Sequence, residues 1–110
     1  MSNAMLPGAA EKANQLMIDW IEERYDRVAA DFNDEVAEKM PAGDLPAAWA
    51  RLIGLVGSYQ GIGEPMARQA GDLTIVDVPM TFEAREMKGR VVYDASGKVA
   101  GLFVLTPDAP

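Results

Sequence analysis

The most regular alternation of apolar and polar positions lies in the last third of the chain. Thr74, Val76, Val78, Met80, Phe82 and Ala84 recur at every second position. Leu73, Ile75, Asp77, Pro79, Thr81, Glu83 and Arg85 occupy the positions between them. A period of two, with one face apolar and the other mixed, predicts a strand with one side against a core. Pro79 has no N–H to offer a neighbour, so a bulge or a local sheet edge is expected there. After a polar break at Arg85-Glu86, Met87, Gly89, Val91 and Tyr93 alternate with Lys88, Arg90 and Val92. Asp94-Ala95-Ser96-Gly97-Lys98 then reads as a turn, opened by the aspartate side chain and using a glycine that can take positive φ. Residues 99–105 form a third strand, apolar on both faces and so expected to be covered in part on both sides. Gly101 marks a bend or a close backbone approach within it. Thr106-Pro107-Asp108-Ala109-Pro110 reads as a tail.

The first half of the chain switches to three- and four-residue spacing. Ala13, Leu16, Met17, Trp20, Ile21, Tyr25 and Val28 mark one broad apolar face, which predicts a helix from Ala9 to Arg24. A break near Tyr25-Asp26 would let Asp26 cap a short second helix through Asp31. Asn33 is placed to cap a helix from Asp34 to Met40, with Val36, Ala37 and Met40 inward. Pro41-Ala42-Gly43 ends it. Asp44 is expected to cap the next helix, with Pro46 in its first turn. Leu45, Ala48, Trp49, Leu52, Ile53 and Val56 line one face of that helix, and Gly57 stops it. Ser58 to Ala70 reads as one strand, irregular at its start, joined to Leu73 by a Gly71-Asp72 turn. The expected fold is therefore α+β: N-terminal helices packed on a curved, four-stranded antiparallel meander sheet, in one domain over residues 9–106.

Several runs carry a resemblance. Tyr25-Asp26-x-Val28-x-x-x-Phe32-Asn33 is followed by a Trp49 helix ending in Gly57-x-Tyr59, and then by Val92-Tyr93-Asp94-x-x-Gly97-Lys98-Val99-Ala100-Gly101-Leu102. In this order the chain resembles the bacterial and archaeal domain of unknown function family 3887. The resemblance covers residues 9–106. It implies a cystatin-like, nuclear transport factor 2-like cone of helices on a curved sheet. It also implies occurrence alone or ahead of α/β-hydrolase-type domains, and it brings no catalytic residues.

Composition narrows the chemistry. A length of 110 residues suits one domain. There is no cysteine and no histidine, which removes disulfides, thiolate metal sites and the commonest general base. No cofactor or metal site is expected. Seventeen acids against ten bases give a formal charge of −7, which offers no basic footprint for nucleic acid. No apolar run is long enough to span a membrane. Met1-Ser2-Asn3-Ala4 reads as an expression-vector scar, and Met5 as a native start, which points to a cytoplasmic protein unless a leader has been removed.

Trp20 and Trp49 lie on apolar helix faces. Core packing is their plain role; walling a pocket for a small apolar molecule is the sharper one, with Tyr59, Asp77, Met80 and Phe82 as the other candidate lining residues. Asp77 and Tyr59 would be the participants if this were a small proton-transfer enzyme of ketosteroid-isomerase type. Asp19, Glu22, Glu23 and Asp26 read as a solvated acidic helix face. Glu83, Arg85, Glu86, Lys88 and Arg90 read as exposed cross-strand charge pairs. Ile75, either Val92 or Tyr93, and alternate residues of 99–105 leave apolar area on the outer sheet face, which predicts a homodimer formed sheet to sheet. The leading expectation is a non-enzymatic binding or interaction domain. The alternatives are the cone-fold enzyme and an accessory domain of a hydrolase.

Overall fold

The structure is a computed structural model, and it describes residues 5–110; the expected vector scar lies outside the described residues. Four helices precede five strands: α1 (Ala9–Ile21), α2 (Tyr25–Ala29), α3 (Asp34–Lys39), α4 (Leu45–Val56), β1 (Tyr59–Ile62), β2 (Met66–Ala70), β3 (Leu73–Phe82), β4 (Glu86–Tyr93) and β5 (Val99–Leu105). A 3₁₀ turn over Ala42–Asp44 leads into α4. Every strand pairing in the sheet is antiparallel. The architecture is α+β, as the patterning predicts.

The sheet differs from the expected meander in one respect. Residues 59–70 are two strands, and both pair with β3, at opposite ends of it. Tyr59 and Ile62 face Phe82 and Met80, whereas Met66 to Ala70 run from Asp77 back to Leu73. The gap falls at Gly63-Glu64-Pro65, opposite Pro79. The Gly63 N–H donates to the Pro79 carbonyl at 2.7 Å, so this face of Pro79 points toward the gap. In an antiparallel ladder a residue's N–H and C=O address the same neighbour. The donor that Pro79 lacks is thus missing where the neighbouring strand is broken. On its other side Pro79 keeps register with Lys88.

Alternation sets the two faces. Thr74, Val76, Val78, Met80 and Phe82 of β3 join Gly89, Val91 and Tyr93 of β4 and Val99 and Leu102 of β5 beneath the helices, all of them buried. Ala9, Ala13, Leu16, Met17 and Trp20 of α1, with Val28, Phe32, Val36, Leu45 and Val56, complete the core. Gly89 is needed here: a Cβ on it would lie 2.5 Å from Met17 Cε and 2.8 Å from its Sδ. The missing side chain makes room for the methionine. The β4–β5 register slips between Val92 and Tyr93, which leaves Ala100 as a bulge beside Gly101. A second irregularity falls between Tyr59 and Gly61. Bulges of this kind bend the strands that carry them.

The helix ends follow their chemistry unevenly. Asn33 caps α3 through a 2.9 Å bond from the Val36 N–H to its Oδ1, as expected. Asp26 and Asp44 do not cap. Helix α1 stops at Ile21, Glu23 takes a positive φ of 65°, and α2 starts at Tyr25 with Arg24 at its N-cap position and no side-chain cap. Asp44 closes the 3₁₀ turn instead, and its side chain makes no cap bond. The β4–β5 turn is tied by Asp94, whose Oδ1 accepts from the Ser96 N–H, the Ser96 hydroxyl and the Lys98 N–H, with Gly97 at φ 89°. These bonds, that from the Ser96 side chain first, hold the Asp94 carboxyl below its ordinary range.

Candidate functional site

The six residues expected around a pocket divide between the two sides of the sheet. Trp20, Trp49, Tyr59 and Phe82 meet on the helix side. The Trp20 and Trp49 ring centroids are 5.7 Å apart, Trp49 lies 5.8 Å from Phe82 and 6.4 Å from Tyr59, and Tyr59 meets Phe82 edge-on at 6.1 Å. These are ordinary separations for packed aromatic pairs. Trp20 is buried, and its Nε1 donates to the Leu45 carbonyl at 3.1 Å, which ties α1 to the start of α4. Met80 is buried on the same side, and its Sδ lies 3.3 Å from where a Cβ on Gly89 would be. Burial raises the Tyr59 phenol pKa, so the group stays neutral.

Asp77 lies on the opposite face. It sits between Lys88 and Arg90 of β4, with Arg90 Nε 2.8 Å from Oδ1, Arg90 Nη2 3.0 Å from Oδ2 and Lys88 Nζ 3.5 Å from Oδ2. The two-pronged Arg90 bond, outweighing partial burial, holds the Asp77 carboxyl below its ordinary range. Asp77 is therefore an ionised member of a charge cluster, separated from Tyr59 by the sheet itself. The expected exposed pairs among Glu83, Arg85, Glu86, Lys88 and Arg90 are replaced by this half-buried cluster. Glu83 instead accepts from the Ser58 N–H.

Among the described residues no helix packs over the centre of the outer face; α3 flanks its β5 edge, where Lys39 and Met40 line a groove with Gly101 and Phe103. Its rungs read Arg68–Ile75–Val92–Gly101 and then Met66–Asp77–Arg90–Phe103 across the sheet. Phe103 is 48% exposed, whereas Gly101 on the same face is buried, so β5 is covered on its outer side only in part, as its composition predicts. The Phe103 ring leans over Gly101: a Cβ there would sit 2.8 Å from Phe103 Cε2 and 3.4 Å from Val92 Cγ2. Gly101 thus marks a close approach by a side chain. The C-terminal residues fold back onto this face, where Lys88 donates to the Ala109 carbonyl and Arg90 Nη1 to Pro110 O. They cover the charged end and leave the strip of Ile75, Val92 and Phe103.

The acidic helix face is also rearranged. Asp19 is buried, accepting from Gln15 Nε2 at 3.0 Å and from Arg24 Nε at 2.8 Å, and Arg24 also pairs with Glu22. Among the described residues no cluster of acids is arranged to hold a metal ion, and no helix is long and apolar enough to cross a membrane.

Helices on one face of an open antiparallel sheet, with a charged and apolar outer face, define an α+β layer domain. Within that class the chain belongs to the DUF3887 family of proteins of unknown function, whose profile matches residues 13–102. A comparison with curated proteins gives no match. Among solved structures the chain is similar to a protein from Ruminococcus gnavus ATCC 29149 determined by NMR. The TM-score is 0.62, with 8% identity, over 94% of this chain and 93% of that one. At that identity the likeness is one of fold.

Proposed function

We propose that the protein is a non-enzymatic interaction module that pairs with a second copy of itself through the outer sheet face. The carrying observation is the strip of part-buried Ile75 and Val92 and half-exposed Phe103 on the sheet face opposite the core. Charge favours the same surface. Two chains of formal charge −7 repel each other, yet this face gathers Arg68, Lys88 and Arg90 against Asp77 and Glu86. Three cations against two acids make it less repulsive to a second acidic copy than the chain's overall charge. The layer order and bulged strands support the cystatin-like, nuclear transport factor 2-like placement. The close contacts among Trp20, Trp49, Tyr59 and Phe82 support a packing role for these rings over one as ligand walls. The separation of Asp77 from Tyr59 by the sheet argues against their acting together on one substrate in a proton-transfer reaction.

The test is the mass in solution. Light scattering should give twice the 11.9 kDa of the chain. Phe103→Glu, on an exposed position, should return it to the monomer with its circular dichroism unchanged. A wild-type monomer at high concentration would refute the reading.

A further inference from the structure

A second feature lies on the helix side of the sheet, away from the outer face. A cleft of about 180 Å³ opens where α1 and α2 meet the end of β4 and the start of β5. Leu16, Val28 and Val99 are buried in its apolar floor. Tyr93 lines it too and is 1% exposed. Its phenol makes no hydrogen bond to another described residue. No fully buried side-chain donor or acceptor among the described residues goes without a partner, so this hydroxyl keeps some contact with solvent, and Asp31 of the same cleft acts on it. Burial, and then the Asp31 carboxylate, push its pKa up, which keeps it a donor at neutral pH.

Asp19, 6% exposed, lines the same cleft. Both of its hydrogen bonds fall on Oδ1, which leaves Oδ2 to accept. At the rim stand Lys12, Arg27 and Asp31, all exposed and none in an ion pair among the described residues. The cleft therefore offers one buried donor and one buried acceptor under cations and an anion that pair with no side chain among the described residues.

We propose that this cleft binds a small zwitterion of amino-acid size, its carboxylate toward Tyr93, Lys12 and Arg27 and its ammonium toward Asp19 and Asp31. A simple anion would set its charge beside two aspartates, and a simple cation beside Lys12 and Arg27. A molecule carrying both signs meets both sets. The volume is smaller than the usual ~300–1,000 Å³ of ligand sites, which excludes nucleotides and larger cofactors. The proposal is independent of the dimer, since the two sites lie on opposite faces of the sheet.

The experiment is an amide NMR titration of the full chain with L-alanine, alongside acetate and methylammonium as single-charge probes. L-alanine should give saturable shifts confined to residues 12–31 and 93–99, with each probe binding about tenfold or more weakly. Tyr93→Phe, which removes only the hydroxyl, should weaken L-alanine by about tenfold. Asp31→Asn, on an exposed position, should do likewise and guards against a folding defect in the tyrosine variant. No saturable shift up to the solubility limit, acetate binding as tightly as L-alanine, or undiminished binding by both variants would each overturn the proposal.

Discussion

Asp77 shows how much a single residue's meaning depends on what the fold sets beside it. Along the chain it is an isolated acid on a mixed strand face. In the sheet the β3–β4 register places Arg90 directly opposite it and Lys88 one rung away on the same face. Cross-strand pairs of this kind are the unit of sheet stabilisation. Because pairing depresses the folded-state pKa, the contribution is complete above the ordinary carboxylate range. It is lost as the pH falls through the lower folded value. Asp77→Asn should therefore cost about 1 kcal/mol at neutral pH, since the cluster is partly solvated. The gap between variant and wild type should close as the pH drops below about 4. Urea denaturation of both proteins across that range checks this, and a gap independent of pH would show that the charge is immaterial.

At the scale of elements, local signals were legible where the chain itself supplies the partner. The Asn33 cap needs only the N–H of Val36, three residues on, and the Asp94 turn needs only Ser96 and Lys98. Both were readable from residue type and spacing. Asn33→Ala should lower stability by ~1 kcal/mol, read as a lower midpoint in thermal unfolding. Asp26 and Asp44 carry the same chemical signal and do not cap. At Asp26 the chain turns earlier, through Glu23 at positive φ. At Asp44 a 3₁₀ turn takes the place of a cap. Pro79 was legible as an interruption, but not which neighbour it interrupts. Gly63-Glu64-Pro65 is opposite it, and only the pairing of both β1 and β2 with β3 reveals that the two breaks are one event.

At the scale of the whole molecule, the aromatic cluster is the joint between layers. Trp20 carries the contact twice, through its ring against Trp49 and through its Nε1 on the Leu45 carbonyl. Trp20→Ala should cost ~3–5 kcal/mol, as for other large-to-small core changes. That is a large share of the ~5–15 kcal/mol that holds such domains folded. Loss of near-ultraviolet dichroism and a lowered urea midpoint would register it. A variant as stable as wild type would mean that α1 and α4 are joined elsewhere. The candidate site was less legible than the fold. Trp20, Trp49, Tyr59 and Phe82 lie together because all sit on apolar faces that meet in one core, whereas Asp77, expected beside them, lies across the sheet. Nothing in the spacing of Tyr93, Asp19 and Asp31 marks a cleft. Tyr93 reads as one more apolar residue on an alternating strand, with its face left open, and Asp19 as one more acid on a solvated face.

The sequence by itself determined the class of fold, the order of helices before strands, the face β3 turns inward and the turns that one residue type can enforce. Those properties rest on periodicity and on contacts within a few residues, and both are written along the chain. The tertiary structure alone decided that β1 and β2 share a neighbour, that Asp77 faces two cations on the outer side, that the C-terminal residues lie across that side and that Tyr93 lines a cleft. Each of these depends on which distant residues are brought side by side. That choice is made by the packing of the whole chain at once, and no local pattern encodes it.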